Sequence, residues 1–181
     1  MLCVKKRLYI WQFAGFLFTG ISGVLLHFLY DWSGQSLFTA PFSAVNESIW
    51  EHMKILFFPM ILFALIQSDY SKEKYENFWC AKLAGIMAGV ILIPMLYYTY
   101  TGVLGFKLDW LNIFIFFLAA GVSYFLETRF LKHDRGSCIS PKIAGGVLYM
   151  VALIFILFTF IPPQIPLFQD PVSGVYGISS D

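Results

Sequence analysis

Apolar stretches of about 20 residues, each long enough to cross a hydrocarbon core roughly 30 Å thick as a helix, alternate along this chain with short polar interruptions. Five such runs stand out: residues 8–30, 48–68, 78–101, 110–131 and 143–161. Backbone polar groups cannot go unpaired in lipid, so runs of this length must be helices. The pattern predicts an all-α, polytopic transmembrane bundle of about five spans forming a single domain, with an outer cap over residues 32–47 and an outer tail over 162–181. The basic start before the first run superficially resembles a secretory signal. The run is too long for one, and it reads as a retained first span.

Pro59 and Pro94 fall inside the second and third spans, where membrane helices tolerate them as kinks. Gly85 and Gly89 form a GxxxG pair, and Thr19 with Gly23 is a looser relative; this spacing points to close helix packing. No internal repeat is visible, and five spans do not divide into inverted halves, which counts against a standard secondary transporter.

Basic residues set the expected orientation. Lys5, Lys6 and Arg7 precede the first span, Lys72, Lys74 and Lys82 surround the loop before the third, and Arg129, Lys132, Arg135 and Lys142 surround the loop before the fifth. The alternate loops hold only Lys107, with Lys54 slightly inside a helix. That asymmetry predicts a cytoplasmic N-terminus and an outer C-terminus. Cys3, Cys80 and Cys138 then all fall on the cytoplasmic side. Their odd number, with no CxxC pair, predicts reduced thiols and neither a disulfide framework nor a zinc finger.

Composition narrows the class further. Of 181 residues, 59% are hydrophobic and only 13% charged, with mean hydropathy +0.72, about half the roughly 25% charged share of soluble domains. A net charge of +1 without a Lys/Arg-rich tract excludes a nucleic-acid partner. The partner implied by such a surface is membrane lipid.

The polar chemistry collects at the expected outer end. His27 and Asp31, four residues apart, share a helix face. The densest polar cluster is Asn46-Glu47-Ser48-Ile49-Trp50-Glu51-His52-Met53-Lys54. On a helical wheel Glu47, Glu51 and Lys54 lie within about 60° of one another, and His52 turns about 100° away from Glu51, above Ser48. Two helices joined by one loop can therefore aim His27, Asp31, Glu51 and His52 at a shared space. An ionisable group at membrane depth costs roughly 2.5–3.5 kcal/mol on insertion scales, so such groups usually face one another or a water cavity. His27, His52 and Glu51 would suit a divalent metal such as zinc. Without metal, a carboxylate–histidine pair would serve as general base and orienting partner. Lys54, with Glu47 and Asn46, would bind substrate, Lys54 holding a negative charge such as a lipid phosphate.

Simpler roles compete with each of these. Ser48 and Glu51 match the S-x-x-E capping box, Asn46 is another plausible cap, and Glu51 and Lys54 at i,i+3 can neutralise each other. Trp32 and Trp50 suit an interfacial aromatic belt. Glu127 and Arg129 suit pairing or snorkelling at the inner end of the fourth span.

The stretch Val45-Asn46-Glu47-Ser48-Ile49-Trp50-Glu51-His52-Met53-Lys54, with His27, Asp31 and Trp32 before it and Pro162-Pro163 through Leu167-Phe168-Gln169-Asp170 to Tyr176-Gly177-Ile178 after it, resembles a family of small uncharacterised multi-pass membrane proteins of Gram-positive bacteria. The family pattern is V-N-E-S-x-W-E-H-x-K. The resemblance implies a bacterial cytoplasmic (cell) membrane location and supplies no reaction.

The leading functional expectation is a membrane-embedded hydrolase or transferase acting on a lipid or membrane-bound substrate at the outer leaflet. Glu51 and His52 are its central catalytic residues, with His27 and Asp31 as partners. Two other classes compete: an accessory or structural subunit whose cap binds another membrane protein, and a small ion or solute transporter.

Overall fold

The computed structural model describes residues 2–71, 75–132, 138 and 140–178, with the side chains of residues 2–5 left out. Lys72, Lys74 and Arg135, and the side chains of Cys3 and Lys5, lie outside the described residues.

The described chain is helical: α1 Leu2–Trp32, α2 Ile49–Ser71, α3 Phe78–Leu104, α4 Asp109–Lys132 and α5 Pro141–Phe160, followed by a 3₁₀ turn at Pro166–Phe168. All five helices are long and apolar enough to cross a membrane. Together with the exposed apolar side chains they carry, such as Phe13, Ile21, Ile91, Phe125 and Leu157, they make this an integral, multi-pass membrane protein. Helices α2 and α3 continue through Pro59 and Pro94. Helix α2 is the most enclosed. It packs against α1 and α3; α4 packs against α1 and α3, and α5 lies along α3.

Small residues set the closest approaches. A Cβ at Gly85 would sit 2.7 Å from the Ser123 carbonyl oxygen, and one at Gly89 would run into the Ser123 hydroxyl, so this GxxxG face is the α3–α4 seam. Gly23 lies against Phe116, and the Thr19 hydroxyl bonds the Tyr124 hydroxyl at 2.8 Å, closing α1 onto α4.

The α1–α2 connection, the α3–α4 connection and the tail gather at one end of the bundle, here the capped end. The cap is a string of turns over residues 33–48, with the Ala44 N–H bonded to the Leu26 carbonyl at 3.1 Å. The tail folds back: Phe168 packs on Trp50 with ring centroids 4.5 Å apart, and Asn46 Nδ2 donates to the Gly177 carbonyl at 2.9 Å. Trp50 is consequently buried among Phe155, Phe158 and Phe168 rather than standing in an interfacial belt.

Two expectations are corrected at the opposite end. Cys80 and Cys138 form a disulfide, with Cα atoms 5.7 Å apart. Their separation of 58 residues leaves no local motif; the antiparallel return of α4 is what brings the loop after it beside the start of α3. Glu127 neither snorkels nor depends on Arg129. It is fully buried and pairs with Lys82 at 2.5 Å.

Candidate functional site

Local chain geometry builds the site. Asn46 Oδ1 accepts the Ser48 N–H at 2.9 Å, an Asx turn that satisfies one of the free donors at the start of α2. Helix α2 begins only at Ile49, so Glu47 sits on the turn before it rather than on the helical wheel. One helical turn on, His52 Nδ1 lies 2.9 Å from the Ser48 carbonyl oxygen. A carbonyl can only accept, so Nδ1 carries the proton, and the Nε2 lone pair of the neutral ring is left facing outward.

That nitrogen meets two groups from elsewhere. His27 Nε2 on α1 lies 3.6 Å from Glu47 Oε1, and His52 Nε2 lies 3.9 Å from Glu47 Oε2. The two imidazole centroids are 5.4 Å apart. One ligand atom from each of His27, Glu47 and His52 falls within 4.8 Å of the others, the grouping of this kind found among the described residues. Tetrahedral zinc with bonds near 2.0–2.1 Å holds its ligands roughly 3.4 Å apart. A closure of up to about 1.4 Å, within reach of side-chain rotation, would bring all three onto one ion. The donor set, two imidazoles and a carboxylate, fits zinc or a similar divalent metal.

The three residues stand on the wall of a cavity of about 340 Å³ between α1, α2 and α4, which Lys107, Asp109, Asn112 and the tail residue Val172 also line. Three metal ligands together with an open cavity would leave coordination positions for water and substrate, the arrangement of catalytic rather than structural zinc.

The other sequence candidates lie elsewhere. Glu51, expected to share a space with the histidines, turns away from them instead. Its Oε2 lies 2.6 Å from Lys54 Nζ and accepts the Val45 N–H at 3.0 Å. Lys54 also donates to the Ala40 carbonyl and to Thr159 Oγ1, each at 2.9 Å. Lys54 is 0% exposed and Glu51 2%, and all three ammonium donors of Lys54 have partners. The pair therefore clips the cap, α2 and α5 together. Glu51 does not close a capping box onto Ser48, because its acceptor is taken by Val45 and Lys54. Asn46 joins the helix start to the tail, as described above. Asp31 is exposed at the end of α1, outside the cluster.

A second polar group was not found from the sequence. Gln12 on α1 and Gln67 on α2 are buried; Gln12 faces Glu127, and the Gln67 amide has no hydrogen-bond partner among the described residues. Lone glutamines inside apolar runs look like tolerated exceptions, and only the fold brings Gln12 alongside Glu127.

The chain matches the model of a family described as "Family of unknown function (DUF6512)" over residues 3–178. No curated protein and no solved structure matches it.

Proposed function

Since the chain belongs to this family of unknown function, we propose its activity from the site itself: a membrane-embedded hydrolase or transferase whose divalent metal, zinc or similar, is held by His27, Glu47 and His52. The observation that carries this reading is the convergence of three ligand atoms, from α1, the turn before α2, and α2, on the wall of an open cavity. A metal there would polarise a substrate oxygen and supply bound hydroxide near neutral pH. Asp109, on the same cavity wall and outside the ligand set, is the carboxylate available to take a proton from that water. Glu51 and Lys54 hold the cap in place against α2 and α5.

We place the site at the outer leaflet of a bacterial cytoplasmic membrane, with lipid or a membrane-bound molecule as substrate. The count of basic residues supports this orientation, and the resemblance to Gram-positive membrane proteins supports the membrane. The Cys80–Cys138 disulfide is the observation against it, because disulfides persist in oxidising compartments. Transport has one observation in its favour: the buried polar groups Gln12, Thr19, Tyr124 and Glu127 below the histidines. The contact of Phe116 with Gly23 lies between those groups and His27, and it counts against a continuous polar path.

Metal analysis of detergent-purified protein tests the proposal. We expect near-stoichiometric metal in the wild type and in Glu51→Gln, lost in His52→Ala and Glu47→Gln. Incubation with a bacterial lipid extract should consume one lipid species, and a chelator should stop it. Wild-type protein that binds no added zinc, manganese or iron overturns the reading.

A further inference from the structure

The cavity at His27, Glu47 and His52 is polar on one side and apolar on the other, and the division follows the bundle axis. Glu47, Lys107 and Asp109 line its upper part, and Lys107 and Asp109 are exposed at the capped end. Val24 and Ile113 line its flank and Phe117 its lower part. Asp109 and Phe117 are eight residues apart on α4, about 12 Å along the axis at roughly 1.5 Å per residue. That is the scale separating a lipid headgroup from its upper chain carbons.

The apolar flank also opens sideways. Val24 on α1 is 45% exposed and Ile113 on α4 is 60% exposed, and both stand within spanning helices whose exposed faces meet lipid. The cleft between α1 and α4 therefore reaches the bilayer as well as the capped end. Its floor is set by close packing: Gly23 abuts Phe116, and a Cβ at Gly20 would lie 2.9 Å from Phe117 Cε1. A soluble substrate would need only the polar mouth. A lateral apolar opening continuous with the histidines suits a molecule already dissolved in the membrane.

We propose that the α1–α4 cleft is a lateral portal through which a bilayer lipid presents a compact polar head to His27, Glu47 and His52, with its first chain carbons against Val24, Ile113 and Phe117. The volume of about 340 Å³ lies at the lower end of ligand pockets, so the head must be small and most of the chain must stay in the bilayer. This inference names the substrate class for the site proposed above and rests on that site being the reactive one.

The probe is phosphatidylglycerol carrying a photoactivatable diazirine near the top of one acyl chain, in vesicles of phosphatidylethanolamine and phosphatidylglycerol, with the full-length protein reconstituted. Crosslinks should concentrate on α1 around Val24 and on α4 around Ile113. Val24→Trp and Ile113→Trp add bulk at exposed positions, so folding should be unaffected, and each should reduce those crosslinks about tenfold, a loss of roughly 1.4 kcal/mol of binding. Metal content in both variants should equal the wild type. Glycerol phosphate, which has a head and no chain, should not compete. Crosslinks spread evenly over all five helices and indifferent to either tryptophan overturn the portal, and so does full competition by glycerol phosphate. Metal binding separates the two failures: bound metal with even crosslinking rejects the portal alone, and portal crosslinks without metal reject the metal reading alone.

Discussion

Replacing Lys54 by methionine tests whether the second carboxylate of the central motif belongs to the scaffold or to the site. The substitution keeps the length and apolar stem of the side chain but removes a cation that is 0% exposed. Glu51, 2% exposed and 2.6 Å from the lysine nitrogen, would be left as a buried carboxylate without its counter-charge. The Ala40 carbonyl would lose a donor, whereas Thr159 would keep its own bond to the Phe155 carbonyl at 2.9 Å. Removing one member of a buried ion pair costs about 3–5 kcal/mol, far more than removing both. Lys54→Met should therefore destabilise the protein by about 3–5 kcal/mol. The double variant Lys54→Met/Glu51→Leu should recover much of that, leaving a deficit of about 1–3 kcal/mol for the orphaned Val45 N–H. Reversible unfolding in mixed micelles, run as a double-mutant cycle, reads both values. Metal content of the double variant should stay near the wild-type level once it is folded. A single variant as stable as the wild type, or a double variant no better than the single, would refute the clip and return Glu51 to the candidate site.

Three further outcomes follow from the same geometry. Metal affinity should fall at acid pH, because imidazole ligands must be neutral to coordinate; isothermal titration at several pH values measures this, and a flat profile counts against histidine ligation. Gly89→Ala should destabilise by about 1–3 kcal/mol through overpacking, since its Cβ would meet the Ser123 hydroxyl, whereas Gly102→Ala, with open space around it, should have no measurable effect on the unfolding midpoint. In intact cells, a membrane-impermeant maleimide applied after mild reduction should leave Cys80 unlabelled if the end bearing Lys82 is cytoplasmic, and labelling from outside would reverse the assigned orientation.

Most of the architecture was legible because each helix must satisfy its own backbone in lipid, and that demand is written locally, residue by residue. The Gly85–Gly89 pair could be placed correctly for the same reason, since a small-residue seam depends on spacing along one helix, and Pro59 and Pro94 do lie inside α2 and α3. The offset of His52 from Glu51 was also local, but the expectation that both share one space overlooked it: Glu51 turns to Val45 and Lys54 instead. The identity of the third member of the histidine cluster was not local. It depended on where α2 begins: an Asx turn from Asn46 holds Glu47 outside the helix, above the histidines, and a wheel that starts two residues early puts it beside Glu51 instead. Partner choice among buried charges was equally hidden. Lys54 reaches Ala40 and Thr159, and Glu127 reaches Lys82, across helices whose relative rotation no single run encodes. Sequence by itself determined that this chain crosses a membrane as a bundle with His27 and His52 near one end. Tertiary structure alone decided which carboxylate joins them, which lysine is structural, and that Cys80 meets Cys138, because those outcomes turn on the packing of separate helices.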